Sequence, residues 1–195
     1  MEEKMKRLTK YFYRSPTRDV ACSLLGKILC HETDEGVAAG RIVEVEAYLY
    51  RHDSACHAAR GKTARNAAMF GPAGTAYVYL IYGIYHCFNV VTGQPGEGEA
   101  VLIRALEPLS GLELMAARRG TDDKRMLACG PGRLCRAMGI TPALNGRDLR
   151  KKPLYLAEDR YTVTEIVTTT RIGISVAINL PLRFYIAGNA YVSRK

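Results

Sequence analysis

No run of this chain is long and apolar enough to read as a membrane span. Its most apolar stretch, Ala76 to Val91, is interrupted by tyrosines, Gly83, His86 and Asn89, whereas a spanning helix needs about 20 predominantly apolar residues. A secretory signature is lacking too, because Met1 to Arg7 is charged and no apolar segment follows. A cytosolic protein without membrane partners is expected. None of the six cysteines forms a C-x-x-C pair, and Cys129 and Cys135 flank a GPGR turn that suits zinc poorly. All are expected to be reduced structural thiols, and neither metal nor cofactor is called for. The P-loop, the G-x-G-x-x-G fingerprint, H-E-x-x-H and the deaminase P-C-x-x-C are all missing, as are repeats and low-complexity tracts.

Acidic residues are scarce: 19 stand against 28 Lys+Arg, a formal net charge of +9. Such an excess favours a polyanionic partner, since Lys and Arg on phosphates release condensed counterions. It equally fits an ordinary basic soluble protein, so charge narrows the partner class and not the function. With 195 residues, 48% of them hydrophobic, the chain can bury one proper core. A single domain over 1–195 is expected, with 1–10 a flexible basic arm carrying Lys4, Lys6, Arg7 and Lys10.

What is present concentrates between Arg41 and Arg104. RIVEVEAY (Arg41 to Tyr48), DSACH (Asp53 to His57), TAYVYLIYGIYHCFNVV (Thr75 to Val91) and AVLIRAL (Ala100 to Leu106) all read as strands. In Ala38 to Tyr48 the alternation puts Ile42, Glu44, Glu46 and Tyr48 on one face and Val43, Val45 and Ala47 on the other. The second face is packing, so the first is exposed or lines a cleft. Thr75 to Val91 reads as a hairpin turning at Tyr82-Gly83. At its tip Tyr82 either caps an aromatic cluster or wedges between bases, while Tyr79 lies on the opposite pleat. In the next strand Leu102, Arg104 and Leu106 share a face, and an arginine there needs an anion, either a structural carboxylate or something in the site.

Tyr50 to Gly74 is a long loop in which Arg60, Lys62 and Arg65 could hold a phosphate backbone. Thr17 to Leu25 reads as a helix capped by Thr17 and ended by Gly26, with Val20 and Leu24 in the core. Ser110 to Arg119 and a segment starting near Pro131 and ending at Gly139 read as two more. The GPGR turn could accept a phosphate or be a plain turn. Asp148 to Lys152 carries a basic RKK cluster, and Leu154 to Ala157, Ile166 to Ile174 and Leu182 to Ala187 read as closing strands.

A carboxylate, an arginine, a histidine and stacked tyrosines suit a hydrolysis in which Glu deprotonates water and aromatics grip a flat substrate. A metal nuclease using Glu44, Glu46, Asp53 and His57 is the competing chemistry. RIVEVEAY, DSACHAARGKTARNAAMF, GTAYVYLIYGIYHCFNVV, VLIRALEPLSG, GPGRLCRAMGI and PLRFYI together resemble the alkyladenine (methylpurine) type of 3-methyladenine DNA glycosylase, a base-excision repair family, over roughly Thr17 to Val192.

That resemblance implies a single compact α+β domain on curved antiparallel sheet, with a β-hairpin that enters the DNA minor groove. It implies a monomer without metal or cofactor that acts on duplex DNA, in the nucleoid if the source is bacterial. A damaged purine of the 3-methyladenine, 7-methylguanine or hypoxanthine class is flipped into a pocket and released by water, leaving an uncleaved abasic strand. Carried over residue by residue, Glu46 of E-A-Y is the general base and Arg104 helps position the water. Tyr48 and Tyr79 stack on the base, His57 holds base and backbone, and Asn89 disfavours guanine. Tyr82 fills the vacated duplex position, with Ile84 beside it. Arg60, Lys62, Arg65, Lys151 and Lys152 are the candidate phosphate contacts. Departures from mammalian members are a shorter loop between His57 and Asn66, His86 in place of an aromatic, and no tryptophan. A non-catalytic lesion-sensing module is the alternative.

Overall fold

In the computed structural model, residues 5–194 are described. In chain order they form β1 (Lys6–Arg7), α1 (Thr17–Leu24), β2 (Ile28–Thr33), β3 (Gly36–Tyr48), β4 (Ala76–Ile81), β5 (Tyr85–Thr92) and β6 (Glu99–Ser110). There follow α2 (Leu112–Arg119), α3 (Lys124–Leu127), α4 (Pro131–Met138), β7 (Leu154–Glu158), β8 (Ile166–Thr169) and β9 (Arg183–Ile186). The strands make one unclosed α+β sheet in the order β1-β7-β2-β3-β6-β5-β4, with every pairing antiparallel. The sheet branches at β3. Its residues 36–41 pair with β2, and on the same edge its residues 44–46 pair with β9, which carries β8.

Val, Ile, Tyr and Phe fill these strands, as half-buried pleats demand. One face of β3, β5 and β6 packs on α1, α2 and α4 around Leu24, Ile42, Phe88, Ile103, Met115 and Leu134, all fully buried. Each such side chain contributes about 1.5–3 kcal/mol by leaving water. The other face of β3 to β6 holds the polar chemistry.

Two register shifts decide where that chemistry points. On β3, Ile42 pairs with Leu106 and Glu44 with Ala105, so Val43 is one residue extra; on β6, Ala105 pairs with Glu44 and Ile103 with Val45, so Arg104 is extra. The bulges compensate, and strict alternation fails across them. Ile42 and Leu106 consequently join the core instead of sharing a face with Glu44 and Arg104.

The hairpin β4–β5 closes through Tyr82 and Gly83 at positive φ of 53° and 73°, the signature of a type I′ turn, with Ile84 N–H bonded to Ile81 O at 3.3 Å. Gly83 takes this backbone freely, whereas Tyr82 pays for it. Just past the turn Gly132 lets α4 approach closely, because a Cβ there would lie 3.1 Å from Tyr85 Cβ.

Some expectations fail here. DSACH is not a strand: the Asp53 carboxylate accepts the Leu49 and Ala55 N–H groups at 3.0 and 3.2 Å, which curls the chain into a turn before a 3-10 segment at His57–Arg60. Thr17 does not cap α1. Pro16 takes that place, and the Thr17 hydroxyl instead lies 2.8 Å from the Thr92 hydroxyl and bonds the Glu99 carboxylate. β8 stops at Thr169, because the next residues turn to pair Arg171 with Asp53. The basic arm is anchored where it is described: Lys6 and Arg7 pair with β7 and Leu8 is buried, while residues 1–4 lie outside the described residues.

Candidate active site

β3, β4, β5 and β6 bring Tyr48, Tyr79, Asn89 and Arg104 to one cleft of about 660 Å³, and the loop after Cys56 adds His57. Tyr82, Tyr85, Arg119, Gly132, Arg133 and Arg136 line its outer lip, and Ile172, Gly173, Ile174, Ser193 and Arg194 close a further side. Tyr48, His57 and Tyr79 thus meet in space from three separate segments. The His57 and Tyr79 rings lie edge to face at 4.6 Å, and Tyr77 sits 5.2 Å behind Tyr79.

His57 Nδ1 lies 2.9 Å from the Tyr77 hydroxyl. Its outer edge reaches solvent, yet packing of the ring and then the neighbouring Arg65 lower its pKa, favouring neutral imidazole. Asn66, buried beneath the loop, donates to the His57 and Gly61 carbonyls at 2.9 and 3.0 Å and so fixes the histidine's backbone. Asn89 Nδ2 donates to Tyr77 O at 3.1 Å.

Beneath the aromatic slot lies a buried charge cluster. Glu46 forms an ion pair with Arg104 Nη1 at 3.1 Å and accepts from the Tyr48 hydroxyl at 2.9 Å and from Ile172 N–H at 2.8 Å. Glu44 accepts from Arg104 Nε at 3.0 Å, Arg183 Nε at 2.7 Å and Ser193 N–H at 2.6 Å. Asp53 pairs with both terminal nitrogens of Arg171 at 2.6 Å each. Three carboxylates therefore face three guanidiniums, so the cluster can leave water without net charge.

The anticipated exposed or cleft-lining face of β3 is corrected accordingly. Tyr48 lines the cleft, but Glu44 and Glu46 are both 0% exposed, covered by residues 171–172, 183 and 193. Burial alone would raise the Glu44 carboxyl; Arg104, then Ser193 and Arg183, overcome it and hold its pKa below the ordinary value. Burial would likewise lower Arg104, but Glu46 and Glu44 raise it. Burial, and next the Glu46 charge, push the Tyr48 phenol upward, so it stays protonated and donates.

The hairpin tip stands clear, with Tyr82 77% and Ile84 71% exposed. Arg65 bonds Leu80 O at 2.9 Å and lies 5.7 Å from the Tyr79 ring, beside the cleft. Arg60 and Lys62 are exposed on the same loop. Lys151 and Lys152 precede β7 and do not line the cleft, and Lys152 pairs with Glu32 at 2.7 Å.

Sequence reasoning missed Arg171 and Arg183, although each is an arginine in an apolar segment, the signal that singled out Arg104. It also missed the lip formed by Arg119, Arg133 and Arg136, which no ion pair among the described residues engages. Their mutual repulsion adds to the desolvation that lowers the Arg119 pKa.

The comparisons with known proteins agree with one another. A family model described as methylpurine-DNA glycosylase matches residues 11–190. A protein of Methanoculleus marisnigri is 57% identical over 188 residues, covering 94% of this chain and 97% of its own length. Another, of Carboxydothermus hydrogenoformans, is 48% identical over 190 residues, covering 96% and 99%. A third, of Legionella pneumophila (strain Corby), is 48% identical over 194 residues, covering 97% and 100%. Each bears the name "Putative 3-methyladenine DNA glycosylase".

Proposed function

The chain belongs to the methylpurine-DNA glycosylase family, and from that premise we propose that it excises 3-methyladenine, 7-methylguanine and hypoxanthine from duplex DNA as a monofunctional, monomeric, single-domain enzyme of base-excision repair. The family makes it a DNA-repair hydrolase acting on DNA. The observation that carries the finer reading is one buried carboxylate, Glu46, paired with Arg104 at 3.1 Å directly below an aromatic slot of Tyr48, His57 and Tyr79.

In this reading the β4–β5 hairpin enters the minor groove. Tyr82, with Ile84 beside it, takes the place of the extruded nucleotide, since chemistry on a base requires taking it out of the stack. Tyr48 and Tyr79 sandwich the purine while His57 holds base and sugar-phosphate. An N3- or N7-alkylated purine is cationic, so the ring faces attract it and its departure needs little acid help. Glu46 takes a proton from water as the oxygen attacks C1′, the base leaves with the bonding electrons, and Arg104 keeps water and carboxylate in place. Asn89, fixed by Tyr77 O, disfavours the exocyclic amine of guanine. Among the described residues no lysine lines the cleft as a nucleophile, which favours direct hydrolysis without strand cleavage. Arg60, Lys62, Arg65, Lys151 and Lys152 contact phosphates, and Arg119, Arg133 and Arg136 extend that surface past the hairpin.

The test is single-turnover release of free base from duplexes carrying each lesion, with chelator present, for the native protein and Glu46→Gln. Release by the native protein alone, leaving an intact abasic strand, supports the assignment. Tight lesion binding without release would favour the non-catalytic sensing module, and strand breaks abolished by chelator would favour a metal nuclease.

A further inference from the structure

Glu46 and Tyr48 are one turn of the pleat apart, and the Arg171–Asp53 pair packed beside them does not itself line the cleft. Arg171 is the centre of that support. Its Nη1 donates to Ala47 O at 3.0 Å, its two terminal nitrogens grip Asp53 at 2.6 Å each, and its guanidinium carbon lies 4.6 Å from the centre of the Tyr48 ring. The next residue, Ile172, gives its N–H to Glu46 Oε1 at 2.8 Å. Asp53 in turn accepts Leu49 N–H at 3.0 Å, just past the end of β3. Both charged side chains are 0% exposed.

We propose that the Arg171–Asp53 pair is a positioning device for base excision, setting the plane of Tyr48 from behind and, through Ile172, the orientation of Glu46. This rests on the glycosylase reading above. A tyrosine side chain turns about two bonds, and a flipped purine stacks well on only one orientation of the ring. The planar guanidinium, itself locked by a two-pronged bond to Asp53, gives the ring a flat surface to lie against. A stack of guanidinium, tyrosine and purine results, with the carboxylate base bonded to the tyrosine's own hydroxyl.

Fold stability alone explains this arrangement poorly. A buried pair of this kind is often matched or bettered by apolar residues of the same volume. Moreover Arg171 Nε is buried with no hydrogen-bond partner among the described residues, so the side chain is placed for the contacts of its tip at the expense of its stem. The pair also joins segments 118 residues apart, and both of those segments touch the cleft's reacting side.

The experiment compares Arg171→Met, the paired Arg171→Met/Asp53→Asn, which leaves no lone buried carboxylate, and Arg171→Lys, which keeps the charge but loses the planar fork. Affinity for undamaged duplex is measured first and is expected to stay unchanged. Single-turnover release of hypoxanthine at saturating enzyme is expected to fall on the order of a hundredfold in all three, the loss that a misplaced reacting group brings. With an ethenoadenine duplex, the emission change that reports stacking of the flipped base is expected to shrink, and the lysine variant is expected not to restore it. The inference is overturned if the paired variant keeps the native rate and emission change, or if it fails to fold, which would make the pair a determinant of the fold alone. A native protein that neither stacks nor releases any lesion would instead refute the glycosylase reading.

Discussion

Glu44 and Glu46 stand two residues apart on β3, equally buried, and the structure separates them sharply. Glu44→Gln removes the only carboxylate that reaches Arg183 among the described ion pairs and one of two that reach Arg104. It also turns either an amide N–H₂ or a neutral oxygen toward Ser193 N–H, now 2.6 Å from an anionic oxygen. Leaving a buried guanidinium uncompensated costs about 3–5 kcal/mol. Glu46→Gln leaves Arg104 its bond to Glu44, keeps one oxygen to accept Ile172 N–H and turns its amide N–H₂ toward the Tyr48 hydroxyl, which can accept in its place, so its cost should be nearer 1–3 kcal/mol, roughly that of one impaired buried bond. At about 2–4 °C per kcal/mol for a chain of this size, Glu44→Gln should melt several degrees below Glu46→Gln. The order for catalysis should be reversed: loss of a general base costs about 10²–10⁴ in rate, and Glu44 touches neither cleft nor base. Thermal unfolding and single-turnover base release at a temperature where both variants are folded read the two effects. A Glu46→Gln protein as active as the native one, or a Glu44→Gln protein as stable, would refute the reasoning.

The lip of Arg119, Arg133 and Arg136 should reveal itself in salt dependence. Each replacement by Gln is expected to lower the slope of log Kd against log salt by about 0.9 if that side chain neutralises a phosphate, and titration of undamaged duplex at several salt concentrations checks it. Acid should act first through His31, whose Nδ1 lies 2.7 Å from Met138 O in a buried site. Desolvation lowers its pKa below 6.5, only partly opposed by that carbonyl. The unfolded chain therefore takes up the proton more readily, and stability present above pH 6.5 is lost as pH falls through the folded value. Denaturant unfolding across this range should show the loss, and His31→Gln should flatten it. Glu44, depressed below 4.5, adds a second loss of the same sign in more acid solution.

Much of the site was legible because its residues are unusual where they stand. Glutamates on an apolar strand, an arginine between leucines, and tyrosines crowding a hairpin each contradict the needs of a plain sheet, and the structure brings Glu46, Tyr48, Tyr79, Asn89 and Arg104 to or beneath one cleft. Local pattern also placed the hairpin turn and the ends of α2 and α4, since left-handed glycines at Gly120 and Gly139 stop those helices. Partners far along the chain were not legible. Nothing near Glu44 announces Arg183 and Ser193, 139 and 149 positions away, and nothing near Asp53 announces Arg171. DSACH misled for the same reason: its aspartate serves a distant arginine and two local N–H groups, so the backbone turns where propensity alone would extend it.

The alternation on β3 failed for a subtler reason, and it bears on the chemistry. A strict period of two puts Ile42, Glu44 and Glu46 on one face, and Leu102, Arg104 and Leu106 on another. Had both strands kept it, Arg104 would have a pairing partner on β3, and Leu106 and Ile42 would stand on the polar side. Instead Val43 and Arg104 each drop out of register once, within a single pair of each other. The two slips cancel, so pairing resumes with Glu46 opposite Leu102, while Arg104 is freed to lean across β3 and reach Glu44 with Nε and Glu46 with Nη1. Sheet bulges of this sort re-aim a side chain at modest cost. Here one guanidinium spans two carboxylates that a regular ladder would offer only as neighbours along a strand. Composition and spacing contain the residues for that bridge, but the slip that forms it follows from packing Ile42 and Leu106 into the core, a constraint that only the folded sheet imposes.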